Sequence, residues 1–530
     1  MVIYIKLKMK IINSFFLDKK EKGHQNCLLL KDFIEKFVES KEINLTLSDL
    51  SKILNIPINV LKDKSKQIIL NKFDFKKGKF NLKDSKLNVF FDYLIFLILI
   101  LSQLINFKLF KKKDRKNIDV MLDNISHTDE IYRFKNIINN YDSSLIVLKK
   151  KINFDKKKFE NSKIIFDKSF FSSSNILGGK LKLFLIFGYK VFRSSLKMKF
   201  NFFKLVNIIL NSTIRYNYLF NTYKVKFLLH DRFFSTCPIR NFLLKEKCNG
   251  TTGCTQIHLA ESVISMFNFS DIIFTFGNES DTKKKIENLG GKVSFSYGVG
   301  SLKAEHLLNN NSKSDNLKFN SEILVIGVNL NDWFYTSNIT SKAYYDFLNY
   351  IKKLSQKLPN SKIIYKHHGN FKWNDYEENL FKNTNVKIFI DDFEIKNRTE
   401  YVKKIHSKRR LDYFLDKFRV DTKNNSLFYS SYNYLLNSKF VVSFGSSMVL
   451  EAIGLQKPAY FINPQGVENP FFANLEYLNN QMINNFDDLE TKIVNFKNNK
   501  GESNNHEICV NGKTSELITQ VINNVLKEKN

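Results

Sequence analysis

A chain of 530 residues exceeds what one hydrophobic core serves, so two main domains plus an extension are expected; with 43% hydrophobic and 25% charged residues, a disordered or fibrous protein is excluded. The formal charge of +31 admits nucleic acid, an anionic membrane surface or a polyanionic substrate as partner, but the basic residues are spread among Asn, Ile and Phe, as a drift of composition rather than a dedicated arm. Five cysteines, Cys27, Cys237, Cys248, Cys254 and Cys509, are odd in number and scattered, which excludes a disulfide framework, fits a cytoplasmic chain and matches no zinc spacing.

The N-terminus carries Lys6, Lys8 and Lys10, a short apolar patch and then Asp18 to Lys22, without the long apolar centre of a signal peptide, so no export is expected. Residues 1–87 read as a helical extension. Within it, Thr46 to Pro57 followed by Asn59-Val60-Leu61 has the rhythm of a helix-turn-helix, with Asn59 to Leu70 as the would-be recognition helix. That helix offers Lys62, Lys64 and Lys66 but no Arg for guanine, so a small helical cap is preferred and no nucleic acid is expected; duplex binding stays as an alternative.

Val89 to Phe110 is the most apolar window, with an unbroken centre only from Tyr93 to Leu101. Lys83 and Lys86 precede it, and Lys108, Lys111, Lys112, Lys113, Arg115 and Lys116 follow, a symmetry that sets no transmembrane orientation and suits a helix lying in the interface of an anionic leaflet. Leu181 to Leu210 interleaves lysines with Leu, Phe and Ile in the same manner. The competing readings make both of them buried helices with lysines reaching out at the rim, or a true membrane span.

From Asn117 strands and helices alternate. Ile118 to Leu122, a helix over Tyr132 to Asn139, Leu145 to Leu148, Lys163 to Phe166, Val225 to Leu229 and Asp271 to Phe276 predict a doubly wound parallel sheet, so residues 88–308 form a first Rossmann-like domain. The polar run Asn309 to Asn316 falls in a linker over 309–320. Residues 321–530 form a second Rossmann-like domain, with strands at Ile323 to Gly327, Lys362 to Lys366 and Val386 to Ile390 and helices at Ser341 to Leu358 and Leu427 to Leu436. The fold class is therefore α/β, two doubly wound domains facing a cleft, with ligands at the C-terminal strand edges.

Tyr432 to Pro464 carries the chemistry. Phe440 to Ser443 is a strand, Phe444-Gly445-Ser446-Ser447 a turn, Met448 to Ile453 a helix and Ala459 to Ile462 the next strand, with Gly454 and Pro458 bracketing the helix end. Small residues here either serve turning and capping alone or aim N–H groups and hydroxyls at a phosphate. Asn437 to Ser443, Gly445-Ser446-Ser447, Glu451-Ala452 and Lys457-Pro458 together resemble the donor-side motif of GT-B glycosyltransferases that build bacterial surface polysaccharides. Similar segments occur in polysialyltransferases, CDP-glycerol glycerophosphotransferases and UDP-N-acetylglucosamine 2-epimerases.

The resemblance covers roughly residues 225 to 480 and implies a GT-B-like fold and a nucleotide sugar as donor. Those families carry a strand ending in Lys, a variable residue, His and Pro; Lys366-His367-His368-Gly369 matches, with Gly369 departing from Pro, and it implies that His368 meets the donor phosphate or protonates the leaving group. Ser443, Gly445, Ser446 and Ser447 would hold donor phosphates, Glu451 a ribose hydroxyl, and Gln256 with His258 matches a Gln-His element at the cleft. His258 is named as acceptor base, with His127, Asp129 and Glu261 as alternatives. A leaving phosphate stabilised by N–H groups, hydroxyls and an imidazolium needs neither metal nor cofactor. The expectation is a metal-independent glycosyltransferase acting on a glycan or lipid-linked acceptor in surface polysaccharide or lipopolysaccharide synthesis, peripheral at the inner face of the plasma membrane. The rivals are an epimerase of the UDP-N-acetylglucosamine type, which would need further cleft acids and an arginine in the first domain, the helix-turn-helix binder, and a non-catalytic assembly protein on the same fold.

Overall fold

The computed structural model describes residues 23–74, 79–80, 85–107, 114–126, 128–149, 151–152, 154–167, 179–198, 200–232, 236–257, 266–277, 280–310, 321–327, 341–366, 375–389, 420–421, 430–464, 466, 476–497, 509–510 and 512–528. Three helices open it: α1 (Gly23–Val38), α2 (Lys41–Leu54) and α3 (Ile58–Leu70). Asn55 ends α2 in the left-handed region (φ 54°) and Pro57 cannot extend it, so the chain turns straight into α3.

The helix pair expected of a helix-turn-helix is present, but the second helix is not free to enter a groove. Leu61, Ile68 and Ile69 of α3 are buried in a core shared with the domain behind it. Gln67 Nε2 donates to the carbonyls of Thr236 (3.1 Å) and Phe267 (2.9 Å), and Asp63 pairs with Lys292 at 3.2 Å. The Leu61, Ile68 and Ile69 face of α3 is spent on packing against the first domain, and Lys62 and Lys66 are drawn into pairs with Glu39 and Asp63. For the same reason these helices are continuous with the first domain rather than a separate unit.

The apolar window forms α4 (Lys86–Phe107). The first domain follows as β1 (Lys116–Ile125), the short helices α5 (Thr128–Arg133) and α6 (Lys135–Asn139), β2 (Ser144–Leu148), β3 (Ser162–Phe166), α7 (Leu181–Met198), α8 (Phe202–Thr222), β4 (Tyr223–His230), α9 (Pro238–Cys248), β5 (Thr251–Thr255), β6 (Phe269–Thr275), α10 (Ser280–Asn288), β7 (Lys292–Gly298) and α11 (Leu302–Asn310). The helix expected over Tyr132 to Asn139 is broken at Phe134. All seven strands are parallel in the order β7-β6-β5-β4-β1-β2-β3. Long apolar runs such as the fully buried Ser144–Leu148 reflect a sheet covered on both faces.

The second domain comprises β8 (Ser321–Ile326), α12 (Ser341–Lys357), β9 (Ile363–Lys366), α13 (Asp375–Phe381), β10 (Val386–Phe389), α14 (Ser430–Asn437), β11 (Ser438–Ser443), α15 (Met448–Gly454), β12 (Ala459–Ile462), β13 (Met482–Ile483), α16 (Phe486–Lys497) and α17 (Thr514–Lys527). Its six strands are parallel in the order β10-β9-β8-β11-β12-β13. Both sheets reverse direction once, between β1 and β4 and between β8 and β11, and right-handed crossovers leave a crevice above the C-terminal strand ends at those points. The expected fold class, α/β with two doubly wound parallel sheets, is the one observed.

The last helix returns to the first domain. Ile518 and Ile522 of α17 are buried with Val120, Leu122, Ile137 and Phe227. Glu305 of α11 caps its first turn, accepting from Ser515 N at 2.7 Å and Ser515 Oγ at 2.8 Å.

Candidate active site

In the second domain the crevice is bounded by the ends of β8, β9 and β11. Ser443, fully buried, organises the turn after β11: its hydroxyl donates to the Ile326 carbonyl (3.0 Å) and accepts from Ser446 N (3.0 Å) and Gly445 N (3.3 Å). Gly445 sits at φ +143°, a conformation only glycine enters freely. Ser446 Oγ accepts from Met448 N at 3.3 Å, and Ser447 begins α15 without a side-chain cap bond. Two of the three serines therefore shape the turn; Ser443 is withdrawn from the surface, while Ser446 and Ser447 are half-buried at its rim. Lys366 ends β9 and is buried, and its carbonyl accepts from Gly327 N at 2.9 Å, tying the ends of β8 and β9 together.

Glu451, one turn into α15, is buried and faces the first domain. Lys303 of α11 stands 3.8 Å from Oε1 and 4.2 Å above the Tyr432 ring. Burial raises the Glu451 pKa above the usual carboxylate range, while Lys303 and, further off, Arg133 pull it back. Its second oxygen, Oε2, is buried and has no hydrogen-bond donor among the described residues. A carboxylate oxygen in that state is costly unless something donates to it.

The first-domain crevice holds a dense ionic network. Asp123, near the end of β1, is fully buried and takes Arg215 Nη2 at 2.6 Å, Tyr216 OH at 2.9 Å and Arg240 Nη1 at 3.3 Å. Burial alone would raise its pKa, but the Arg215 and Arg240 guanidinium groups more than offset this and hold the carboxyl below its ordinary range. Arg215 also reaches Asp167 beyond β3 (3.3 Å); Arg133 pairs with Asp231 beyond β4 (3.1 Å), and Arg232 with Glu130 (2.6 Å). His230, opposite Asp123 in the β1–β4 ladder, is held well below its ordinary pKa by burial and by Arg240.

Solved structures that resemble the chain include UDP-GlcNAc 2-epimerase from Neisseria meningitidis bound to UDP-GlcNAc (10% identity, 77% of this chain and 100% of that chain, TM-score 0.41). They also include the wall teichoic acid polymerase TagF (11% identity, 84% and 98%, TM-score 0.37) and Anabaena HepE in complex with UDP and glucose (11% identity, 78% and 99%, TM-score 0.35). No protein-family model and no curated protein matches the sequence.

Of the residues expected from sequence, Lys366, Ser443, Gly445, Ser446, Ser447 and Glu451 lie on the second-domain side. Gln256 follows β5, where its Oε1 accepts from Phe276 N at 3.1 Å and fastens the end of β6, a positioning bond inside the fold. His258, His367, His368, His127 and Glu261, and the side chain of Asp129, lie outside the described residues. The ionic network and Lys303 were not anticipated. The one available signal was a polar residue at the end of an apolar strand, as at Asp123 and His230.

Proposed function

We propose that the chain is a metal-independent glycosyltransferase that moves a sugar from a nucleotide-activated donor to a surface polysaccharide or lipopolysaccharide acceptor. The observation that carries this reading is Glu451 Oε2, a buried acceptor lacking a donor among the described residues, on the helix that follows the Gly-Ser-Ser turn and at the contact between the domains. A ribose hydroxyl supplies the missing donor, and the half-buried hydroxyls of Ser446 and Ser447 lie along the same turn for the phosphates. In this reading Lys366 adds positive charge at the neighbouring strand end, His368 protonates or steadies the departing phosphate, and His258 takes the acceptor proton. A leaving group held in this way requires no divalent cation, so turnover is expected to survive EDTA.

A thermal-shift screen of the full chain with CMP, CDP, UDP and GDP tests the reading. At a hundredfold excess over Kd, the cognate nucleotide is expected to raise Tm by about 5–10 °C. Glu451→Gln is expected to lose most of that shift. If none of the four nucleotides stabilises the chain, the transferase reading fails and a non-catalytic assembly protein takes its place.

One observation favours a second reading. Acids and arginines stand at the first-domain crevice, Glu130, Asp231, Arg133 and Arg232 among them, as a UDP-N-acetylglucosamine 2-epimerase would require. Product analysis on UDP-N-acetylglucosamine without acceptor separates the two: an epimerised sugar nucleotide marks the isomerase.

A further inference from the structure

The helices α4 and α7 pack side by side, with Gly188 of α7 against the Phe96 ring of α4, where an added Cβ would stand 2.5 Å from the ring. Their inner faces are ordinary core. Val89, Phe96, Leu99 and Ile100 of α4 and Phe184, Phe187 and Val191 of α7 are buried. Their outer faces are apolar as well: Phe90 (47% exposed), Ile98 (58%) and Leu101 (54%) on α4, and Leu183 (52%), Ile186 (46%) and Tyr189 (63%) on α7. Much of the exposed large-hydrophobic surface of the described residues is gathered on this one helix pair, far more than singly scattered apolar residues explain.

Charge selects the partner. No acid occurs on α7, and the one acid of α4, Asp92, is turned inward to accept from Asn201 Nδ2 at 2.6 Å. Lys86, Lys182, Lys190, Arg193 and Lys197 are exposed around the apolar stripes, and Lys190 makes only a loose pair with Asp49 at 3.6 Å. By length and composition α4 could cross a bilayer, but one third of its most apolar window (33%) is already buried against protein. A helix covered along one side by α7 and α8 cannot be surrounded by lipid.

We propose that the outer face of α4 and α7 docks on an anionic phospholipid bilayer, the apolar side chains entering one leaflet and the lysines meeting headgroup phosphates. The helices lie in the interface and do not span it. Asp92 holds α4 to the N-terminal end of α8, the end from which α8 runs back from the C-terminal edge of the first sheet toward β4, so docking sets the crevice side of the domain near the membrane.

Sedimentation of the full chain with phosphatidylcholine vesicles, with and without phosphatidylglycerol, tests this. The chain is expected to pellet with the anionic vesicles, to be released by salt and by alkaline carbonate, and to stay largely in solution with neutral ones. Phe90→Ser combined with Ile98→Ser, both at exposed positions, is expected to weaken partitioning about tenfold at unchanged Tm. Lys182→Glu with Arg193→Glu is expected to weaken it by about fivefold per residue. The proposal is overturned if the chain ignores anionic vesicles, binds neutral ones equally well, or resists carbonate as a spanning protein would. It is also overturned if the apolar pair abolishes a dimer in lipid-free solution with no vesicle binding, which would assign the face to a second copy. Nucleotide stabilisation is read separately, so either result can fail alone.

Discussion

Asp123 concentrates the electrostatics of the first domain in one carboxylate. Two guanidinium groups and a phenol converge on this fully buried side chain, so removing its charge strands Arg240 and leaves Arg215 with Asp167 alone. Asp123→Asn is expected to cost about 3–5 kcal/mol in urea unfolding, the range for breaking a buried ion pair from one side. Acid acts on the same cluster. The folded-state pKa of Asp123 is depressed, so its contribution is complete above the ordinary value of 3.8 and is lost as pH falls through the folded pKa. His230 is also depressed, from an ordinary 6.5, so below that pH the unfolded chain takes up a proton that the folded chain refuses. Both effects run in one direction: Tm is expected to decline from about pH 6.5 downward, with the His230 share approaching 1.4 kcal/mol per pH unit, and His230→Gln should flatten the curve between pH 6.5 and the carboxylate range.

At the scale of single elements, what the sequence discloses depends on how local the cause is. The strand, Gly-Ser-Ser turn and helix from Phe440 to Ile453 are all legible because each is set by neighbours within a few residues. The destination of the Ser443 hydroxyl is not legible, since a serine at a strand end serves the turn or a ligand equally well. The ionic network was invisible for a related reason: Asp123, Arg215 and Arg240 are brought together only by the packing of α8 and α9 on the sheet. Helix α3 shows the same limit: its sequence does not disclose the Gln67 bonds that tie it to the first domain. Helix α17 is amphipathic, which predicts that one face is buried without saying against which domain. Ile518→Ala, in the core of the first domain, is expected to cost about 2–5 kcal/mol, measured by chemical denaturation.

For the whole molecule, the parallel, doubly wound character of both sheets followed from the alternation of apolar strands and helices, whereas the order of the strands within each sheet is seen only in the structure. The crevices then lie at the two order reversals. Charge was the least informative bulk property until the helix pair α4 and α7 gave it a location, with cations bordering an apolar face rather than a nucleic-acid groove.

The return of α17 to the first domain has a consequence for biosynthesis. The layer that closes β1 and β4 comes from Thr514–Lys527, far downstream of those strands, so the first domain leaves the ribosome with part of its core uncovered until that helix follows. A fragment ending at Asn310 is expected to be poorly soluble and to gain order when a peptide spanning 512–528 is supplied in trans, as followed by near-ultraviolet circular dichroism.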